Sequence, residues 1–274
     1  MSALEKLLQP GTLTAMLQPI VEVHASGTRL HGVECLMRGP EKSNVRRADI
    51  LFSYVRKKNA EAQIDRACVS TALRAAQQLP DNVRISINIH ASSLANDHGF
   101  LGFLQTEAGF YSLVPQRLTL EVVEHTPAFN GAAFQHALDR LRDFGVRIAL
   151  DDIGLGSSNY KMILDCRPDY FKIDKYLVQG CNRDYHRKAV IKSVVTLAQS
   201  LGSHVVAEGV EQHQDFETVS ELGINLLQGY LFGKPMTVAD LLASDLLKRH
   251  RQEFPPQVPA VERSRLESKT ALLI

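Results

Sequence analysis

The chain has 274 residues, of which 45% are hydrophobic and 22% are charged, enough to bury the core of one α/β domain. Its 31 lysines and arginines nearly cancel 30 aspartates and glutamates, which argues against a nucleic-acid partner. No stretch approaches the roughly 20 apolar residues of a membrane span. Four scattered cysteines without a C-x-x-C pair argue against structural zinc and predict a cytoplasmic location.

Short β-rich runs alternate with amphipathic helical runs from about Thr14 to Leu247, the pattern of a parallel sheet wrapped by helices. The first two strands are joined by Ala25–Arg29, which is too short for a crossover helix, so we expect an antiparallel hairpin. This predicts an eightfold barrel that is modified at its start. The eight predicted strands are Ala15–Val23, Leu30–Arg38, Val83–His90, Arg117–His125, Arg147–Ile153, Tyr170–Lys175, His204–Val210 and Asn225–Phe232.

Helical periodicity is clearest between the later strands. It predicts helices at Ala62–Gln78, Ala132–Phe144 and Asp184–Ser200, each with one apolar stripe toward the sheet. In the last of these helices we expect that stripe to consist of Val190, Val194, Leu197 and Leu201. Beyond residue 248 the chain becomes rich in proline and mixed charge, which predicts one domain over residues 1–248 and a loosely held tail over 249–274.

Acidic and amide side chains follow apolar runs in several predicted strands. Ile87 and Ile89 flank Asn88, so Asn88 points into the barrel if the isoleucines face the helices. The same alternation applies to Glu121 and Lys172. Barrel enzymes carry their chemistry at the end where these strands finish. The residues expected to converge there are Glu34, Asn88, Glu121, Asp151, Asp152, Lys172 and Glu208.

So many carboxylates require compensation, because each buried ionised group costs roughly several kcal/mol unless it is paired or metal-bound. One lysine cannot neutralise five acids. Oxygen donors favour magnesium, manganese or calcium over zinc. The size of the cluster suggests two ions about 3.5–4 Å apart, as in phosphodiester enzymes. Asp151 and Asp152 would bridge them where their strand bends into its loop.

Each of these residues also has an ordinary interpretation. Asp152 could cap a helix, and Lys172 could be a buried ion-pair partner. Glycines 154 and 156 are weak support for a phosphate cradle, since loop glycines mostly serve turn geometry. Three histidines lie near strand ends but match no zinc spacing, so we expect ordinary core or surface roles for His90, His125 and His204.

Taken in order, the motifs up to Pro235 resemble those of EAL domains. Glu34-Cys35-Leu36-Met37-Arg38 is similar to the motif that names the family, with Cys35 in place of alanine. Such a small-for-small change should be tolerated. The other matching segments are Leu17–Val21, Asn88, Glu121–Glu124, Asp151-Asp152, Lys172–Asp174, Ala207–Glu211 and Gln228–Tyr230.

The resemblance implies a modified TIM (β/α)8 barrel, with its first strand antiparallel, that hydrolyses cyclic di-GMP to linear pGpG. It implies two cations, Mg²⁺ or Mn²⁺, with Ca²⁺ inhibitory, and a homodimer. One ion would be held by Glu34, Asn88, Glu121 and Asp151, and the other by Asp151, Asp152 and Glu208.

The resemblance also implies roles for other residues. Lys172 would contact the nucleophilic water, and Glu208 is our candidate for a base that assists it. Glu124 would steady the loop after Asp152, while Glu211 and Gln228 would support water and metal placement. The residues expected to contact substrate are Gln18, Arg38 and Gln228.

The loop Ile153–Tyr160 departs from the family pattern, which commonly has Phe, Thr and Tyr at its first, third and fifth positions. Since this loop is linked in the family to dimerisation and metal-site order, one alternative is a receptor that binds cyclic di-GMP without hydrolysing it. Another is a metal-dependent barrel enzyme that abstracts a proton next to a carboxylate, with Lys172 as base. That alternative leaves Arg38 and Gln228-Gly229-Tyr230 unexplained.

Overall fold

A computed structural model describes residues 2–25, 27–123, 131–154 and 160–253. Eight strands close into one barrel in chain order. β1 is antiparallel to both β2 and β8, and the other neighbouring pairs are parallel. The predicted barrel and its antiparallel first strand are therefore confirmed. The strands are β1 (Thr14–His24), β2 (Gly27–Arg38), β3 (Arg84–His90), β4 (Leu118–Val123), β5 (Arg147–Ile153), β6 (Tyr170–Ile173), β7 (His204–Ala207) and β8 (Leu226–Gln228).

Helices follow the strands from β2 onward and cover the outside of the barrel. Short 3-10 turns lie at Pro115–Arg117 and Cys181–Arg183. The helices are α1 (Ala3–Leu7), α2 (Ala48–Arg56), α3 (Glu61–Ala76), α4 (Ala91–Asn96), α5 (Phe100–Phe110), α6 (Gly131–Phe144), α7 (Tyr160–Cys166), α8 (Lys175–Val178), α9 (Tyr185–Ser200), α10 (His213–Glu221), α11 (Val238–Ala243) and α12 (Asp245–Glu253). No helix in this described part is both long and apolar enough to cross a bilayer.

The predicted alternation of strand side chains is confirmed. Ile87 and Ile89 are about 1% exposed and belong to the large core shared with the helices. A second, smaller apolar cluster, formed by Ile20, Ala149, Tyr170, Val206 and Leu226, fills the barrel interior. Four members of this interior cluster line the same cavity of about 20 Å³ as Glu121 and Lys172. The polar residues of β4 and β6 therefore point inward.

Three predicted strands run too far at their carboxyl ends. β6 ends at Ile173 because the Asp174 side chain accepts a hydrogen bond from Tyr176 N and caps α8. β7 and β8 end at Ala207 and Gln228. Val210 beyond β7 is buried in a loop, and Leu231 and Phe232 beyond β8 are partly buried. A β-like sequence pattern does not distinguish such loop residues from strand residues.

The apolar stripe predicted for α9 is only half right: Val194 and Leu197 pack against the core, but the buried positions of the helix lie one residue later. The residues that α9 buries are Ile191, Val195 and Ala198, whereas Val190 is 43% and Leu201 53% exposed. Apolar residues adjoin each other along this helix, so the sequence leaves its rotation open by about 100°. Packing on β6 and β7 selects the other stripe.

The carboxyl end of the barrel domain is helical. α12 continues to Glu253, so the predicted boundary at residue 248 falls inside it. Leu247 and His250 of this helix are buried, and His250 Nε2 lies 2.9 Å from Asn82 Oδ1. The rest of the predicted tail, residues 254–274, lies outside the described residues.

Candidate metal and catalytic site

Lys172 of β6 lies at the centre of the barrel mouth. Its Nζ is 2.6 Å from both Glu121 Oε2 and Glu208 Oε1. Asp151 Oδ1 is 3.3 Å away, and Glu34 Oε2 is 3.4 Å away. Lys172 itself is 1% exposed. Four acids from four different strand ends are therefore gathered around one ammonium group, out of bulk water.

Two side-chain amides bind the Glu34 carboxylate from either side. Asn88 Nδ2 donates to Glu34 Oε1 at 2.7 Å, and Gln228 Nε2 donates to Glu34 Oε2 at 2.7 Å. Burial alone raises the pKa of Glu34, but the Lys172 ammonium and these hydrogen bonds outweigh it. The net pKa of Glu34 is lowered, so this carboxylate stays ionised.

The negative charges of the other acids in the cluster are not fully balanced by Lys172. Burial, together with the charge of Glu34, raises the pKa of Glu121 well above its usual value. Burial also raises the pKa of Asp151, and it raises the pKa of Glu208 to about 8 against the opposing effect of Lys172. Glu121 Oε1 is buried and has no hydrogen-bond partner among the described residues. The site therefore has a surplus of negative charge that a proton or a cation must balance.

Asp151 and Asp152 lie at a β-bulge instead of at a simple strand end. The pairing of β5 with β6 shifts register between Leu150 and Ile153, and Asp152 has φ of +56°. Holding a non-glycine residue in this left-handed region costs about 1–2 kcal/mol. Burial and the nearby Asp151 and Asp174 carboxylates raise the pKa of Asp152 to about 6. The bulge is what lets two adjacent acids serve the same end of the barrel.

Gly154 serves backbone geometry, as its ordinary interpretation predicts. Its φ is +116°, and a Cβ atom at this position would lie 2.5 Å from Leu177 Cδ1. Residues 155–159, which include Gly156 and most of the divergent loop, lie outside the described residues.

Among the described residues, those predicted to contact substrate or to support the site lie around the acid cluster and form no hydrogen bond with Lys172. Gln18 accepts from Gln228 Nε2 at 3.2 Å and donates to Gly233 O at 3.3 Å, so both glutamines join the Glu34 network. Arg38, at the end of β2, donates to Met37 O at 2.9 Å. Glu211 is exposed and accepts from Gln179 Nε2 at 3.1 Å. Glu124 lies outside the described residues.

A buried pair beside the site was not recognised from the sequence. Asp65 of α3 is 1% exposed, and its Oδ1 lies 2.9 Å from His90 Nδ1 at the end of β3. The only sequence signal was an acid between Ile64 and Cys68 on the apolar face of a helix. His90 is buried and His204 is exposed at the opposite end of the barrel, and the sequence left the choice between core and surface open for both.

A cavity of about 440 Å³ opens beside the acid cluster. It reaches from the cluster to α2 and α3. Apolar and aromatic groups make up much of the wall, and an arginine lies at its outer side. The lining includes Glu34, Asn88, Asp151, Phe52, Arg56 and His90. Such a space suits an organic ligand whose charged part meets the acids through a cation.

The site fits a divalent cation by its chemistry but is not arranged around one. No group of three Asp, Glu, His or Cys side chains within the described ranges is placed to hold a metal ion, because the carboxylate oxygens turn toward Lys172 Nζ. The donors are carboxylates and one amide, which suit Mg²⁺ or Mn²⁺. The surplus charge and the unpartnered Glu121 Oε1 are what a cation would satisfy.

Comparison with known proteins agrees with this geometry. The chain is 34% identical over 161 residues to cyclic di-GMP phosphodiesterase RocR of Pseudomonas aeruginosa, covering 58% of this chain and 40% of RocR. It is 28% identical over 236 residues to cyclic di-GMP phosphodiesterase PdeB of Shewanella oneidensis, covering 85% of this chain and 27% of PdeB. The chain therefore spans less than half the length of these relatives.

A solved structure shows the same fold with ligands bound. The manganese/cyclic di-GMP complex of Klebsiella pneumoniae BlrP1 is 30% identical, with a TM-score of 0.74, over 84% of this chain and 58% of that one. A calcium/cyclic di-GMP complex of BlrP1 is also similar. The EAL domain profile matches residues 1–235. The chain belongs to the EAL domain family.

Proposed function

We propose that this protein hydrolyses cyclic di-GMP to linear pGpG with the help of two divalent cations. The observation that carries the proposal is the gathering of four acids around one lysine at the mouth of the barrel. This site holds more negative charge than the lysine balances. The names of RocR and PdeB, and the ligands of the BlrP1 structure, support the choice of substrate.

The proposed ligands fall into two overlapping sets. One ion would be held by Glu34, Asn88, Glu121 and Asp151, and the other by Asp151, Asp152 and Glu208. The bulge at Asp151 and Asp152 supports a shared position between them. Bound divalent cations would lower the pKa of the attacking water and neutralise charge that develops on the phosphate.

The chain's own residues supply orientation and proton transfer. Lys172 donates a hydrogen bond that holds the attacking water, and Glu208 accepts its proton. The water oxygen forms a bond to phosphorus in line with the 3′ oxygen, whose bond to phosphorus breaks. The departing 3′ oxygen takes up a proton from solvent, Glu208 later releases its proton to solvent, and the product is pGpG.

Substrate binding is proposed to involve the residues around this centre. Gln18 and Gln228 are buried in the Glu34 network, and Arg38 ends the strand that carries Glu34. The adjoining cavity of about 440 Å³ gives room for a nucleoside. Glu211 and Glu124 are proposed to support the loops that enclose the site.

The direct test is incubation of the purified protein with cyclic di-GMP and Mg²⁺ or Mn²⁺, with pGpG followed by chromatography. We expect turnover that stops with a chelator, is inhibited by Ca²⁺ and is absent from Glu34→Ala. Circular dichroism must show that this variant is folded. Lack of turnover, or equal rates for wild type and Glu34→Ala, would refute catalysis at this site.

A second candidate function is a receptor that binds cyclic di-GMP without cleaving it. It is favoured by one observation, the departure of the loop Ile153–Tyr160 from the family pattern. Calorimetric titration with cyclic di-GMP and Mn²⁺ separates the two functions. Binding without pGpG would support the receptor, whereas turnover makes it unnecessary.

Homodimerisation in a reducing cytosol is also part of the proposal. α7 begins at the last residue of the divergent loop and exposes Tyr160 by 78% and Leu164 by 71%, and such apolar groups suit an interface. All four cysteines are buried and none forms a disulfide with another, consistent with a reducing compartment. Light scattering coupled to gel filtration should give twice the chain mass, and Leu164→Glu should give the monomer mass.

A further inference from the structure

β2 and β3 separate at the upper end of the barrel, which is the mouth where the acid cluster lies and the parallel strands finish. β3 pairs with β2 only as far as the Cys35–Ile87 pair, whereas its pairing with β4 continues to His90–Val123. Asn88 is the first residue of β3 beyond its pairing with β2. The cavity of about 440 Å³ lies at this separation and is lined by residues of both strands. Beyond Ile87, the β3 strand that carries Asn88 is therefore hydrogen-bonded to a neighbouring strand on the β4 side only.

Asp65 supports the other side. Its Oδ2 accepts from the backbone nitrogen of His90 at 3.0 Å, and its Oδ1 lies 2.9 Å from His90 Nδ1. One buried carboxylate therefore fixes both the main chain and the ring of the residue where β3 ends and α4 begins. It replaces a ladder bond that β2 does not supply there. The Phe52 ring packs edge-to-face on His90, with centroids 5.7 Å apart.

The fixed strand end lies two residues from Asn88. Residues i and i+2 of a strand share one face, and both Asn88 and His90 line the cavity. Asn88 Nδ2 donates to Glu34 Oε1 at 2.7 Å. A shift of the β3 end would therefore move Asn88 relative to Glu34, and these are two of the proposed ligands of one ion.

We propose that Asp65 is a positioning residue for the metal centre. By fixing His90 it sets the place of Asn88 against Glu34, and through this pair it raises the affinity of the site for a divalent cation. The inference rests on the proposed function, because it concerns the cation that this function needs. Supporting groups that orient metal ligands typically change affinity by about 10–100-fold when removed.

The chain offers a matched control at the opposite end of the barrel. Asp169 precedes β6, and its Oδ2 accepts from the backbone nitrogen of Ile148 at 2.8 Å. Asp169→Asn thus makes the same chemical change in a carboxylate that also binds the main chain of a strand. It lies far from the acid cluster along the strands.

The experiment is calorimetric titration of the metal-free full chain with Mn²⁺, alongside thermal unfolding. We expect Asp65→Asn to weaken the Mn²⁺ Kd by about tenfold and Asp169→Asn to leave it within about twofold of wild type, although both lower the Tm. A purely structural role would lower the Tm without changing the Kd. An unchanged Kd in folded Asp65→Asn, or an equal loss in Asp169→Asn, would overturn the inference.

If Asp65→Asn does not fold, Asp65→Glu tests the same point, because it keeps the charge but displaces the carboxylate from both the backbone nitrogen and the ring of His90. A weakened Kd in this variant supports the positioning role, and a wild-type Kd overturns it. Turnover of cyclic di-GMP is measured separately on the wild type. Mn²⁺ binding without turnover would refute the proposed function and leave the inference standing, whereas a wild type that binds no Mn²⁺ would refute the inference.

Discussion

The acidic side chains at the two ends of the barrel are paired with positive charge to different extents. At the lower end, where the parallel strands begin, acids pair with arginines: Glu22 with Arg29 at 2.7 Å, and Asp169 with Arg147 at 3.5 Å. Burial alone raises the pKa of Glu22, but the hydrogen bond from Arg29 and nearby cationic groups lower it overall. At the upper end four acids contact Lys172.

This difference distinguishes charges that stabilise the fold from charges that are available to bind a ligand. Paired charges at the lower end are compensated by the chain itself, as expected where barrels are built for stability. At the upper end the pKa values of Glu121, Asp151 and Glu208 are all raised, chiefly by burial. In the described part of the chain Lys172 alone does not balance these acids, so a ligand is expected to supply the missing positive charge.

The largest expected effect is at the shared ligand position of the upper end. Asp151→Asn should lower hydrolysis of cyclic di-GMP by at least about a thousandfold, since cation stabilisation of the transition state is worth roughly several kcal/mol. Initial rates of pGpG formation at saturating Mn²⁺ measure it. An activity within tenfold of wild type, in a folded variant, would show that Asp151 holds no essential ion.

Removal of the Lys172 ammonium group should lower the stability of the protein most when no metal is bound. Lys172→Met leaves four acids without their ammonium, and breaking a buried pair in this way costs about 3–5 kcal/mol. The corresponding decrease in Tm is about 10 °C. Mn²⁺ should restore more stability to this variant than to wild type. Arg29→Met at the lower end is the control, and an equally large Tm decrease there would remove the contrast between the two ends.

The pH should change both the stability of the metal-free protein and its affinity for Mn²⁺, through the acids at the upper end. A carboxyl whose pKa is raised on folding contributes stability below its unfolded value, near 4.5 for Glu208, and loses it as the pH rises through about 8. The metal-free protein should therefore lose stability between about pH 5 and pH 8. Mn²⁺ binding displaces the same proton, so its affinity should rise by up to roughly tenfold per pH unit over this window.

Calorimetry in buffers from pH 6 to pH 9 measures this dependence. Glu208→Gln, which cannot titrate, is expected to flatten it. Affinity that falls as the pH rises would contradict the proposed surplus of negative charge.

The smallest effect is expected at the lower end. Glu22→Gln removes a partly exposed partner of Arg29, and such pairs contribute about 1 kcal/mol or less. Its rate of hydrolysis should equal that of wild type, and its Tm should change by only a few degrees. A loss of hydrolysis in this variant would show that the two ends are coupled.

Much of the fold could be predicted because it depends on local periodicity. The short Ala25–Arg29 connection predicts the antiparallel start, and alternation around Asn88 predicts which side chains enter the barrel. Prediction failed where neighbouring apolar residues gave two equivalent choices, as in α9, where Ile191 is buried and Val190 is exposed. It also extended β8 beyond Gln228, because apolar loop residues resemble strand residues.

The candidate site divides in the same way. The sequence by itself determined that acids end several strands and that Lys172 shares their face, since both follow from a period of two residues. Only the tertiary structure decided that Lys172 contacts four of them, that a bulge brings Asp151 and Asp152 to one end, and that Asp65 holds β3 where β2 leaves it. These distances join strands far apart in the chain, so they are set by barrel closure and packing and not by any local pattern.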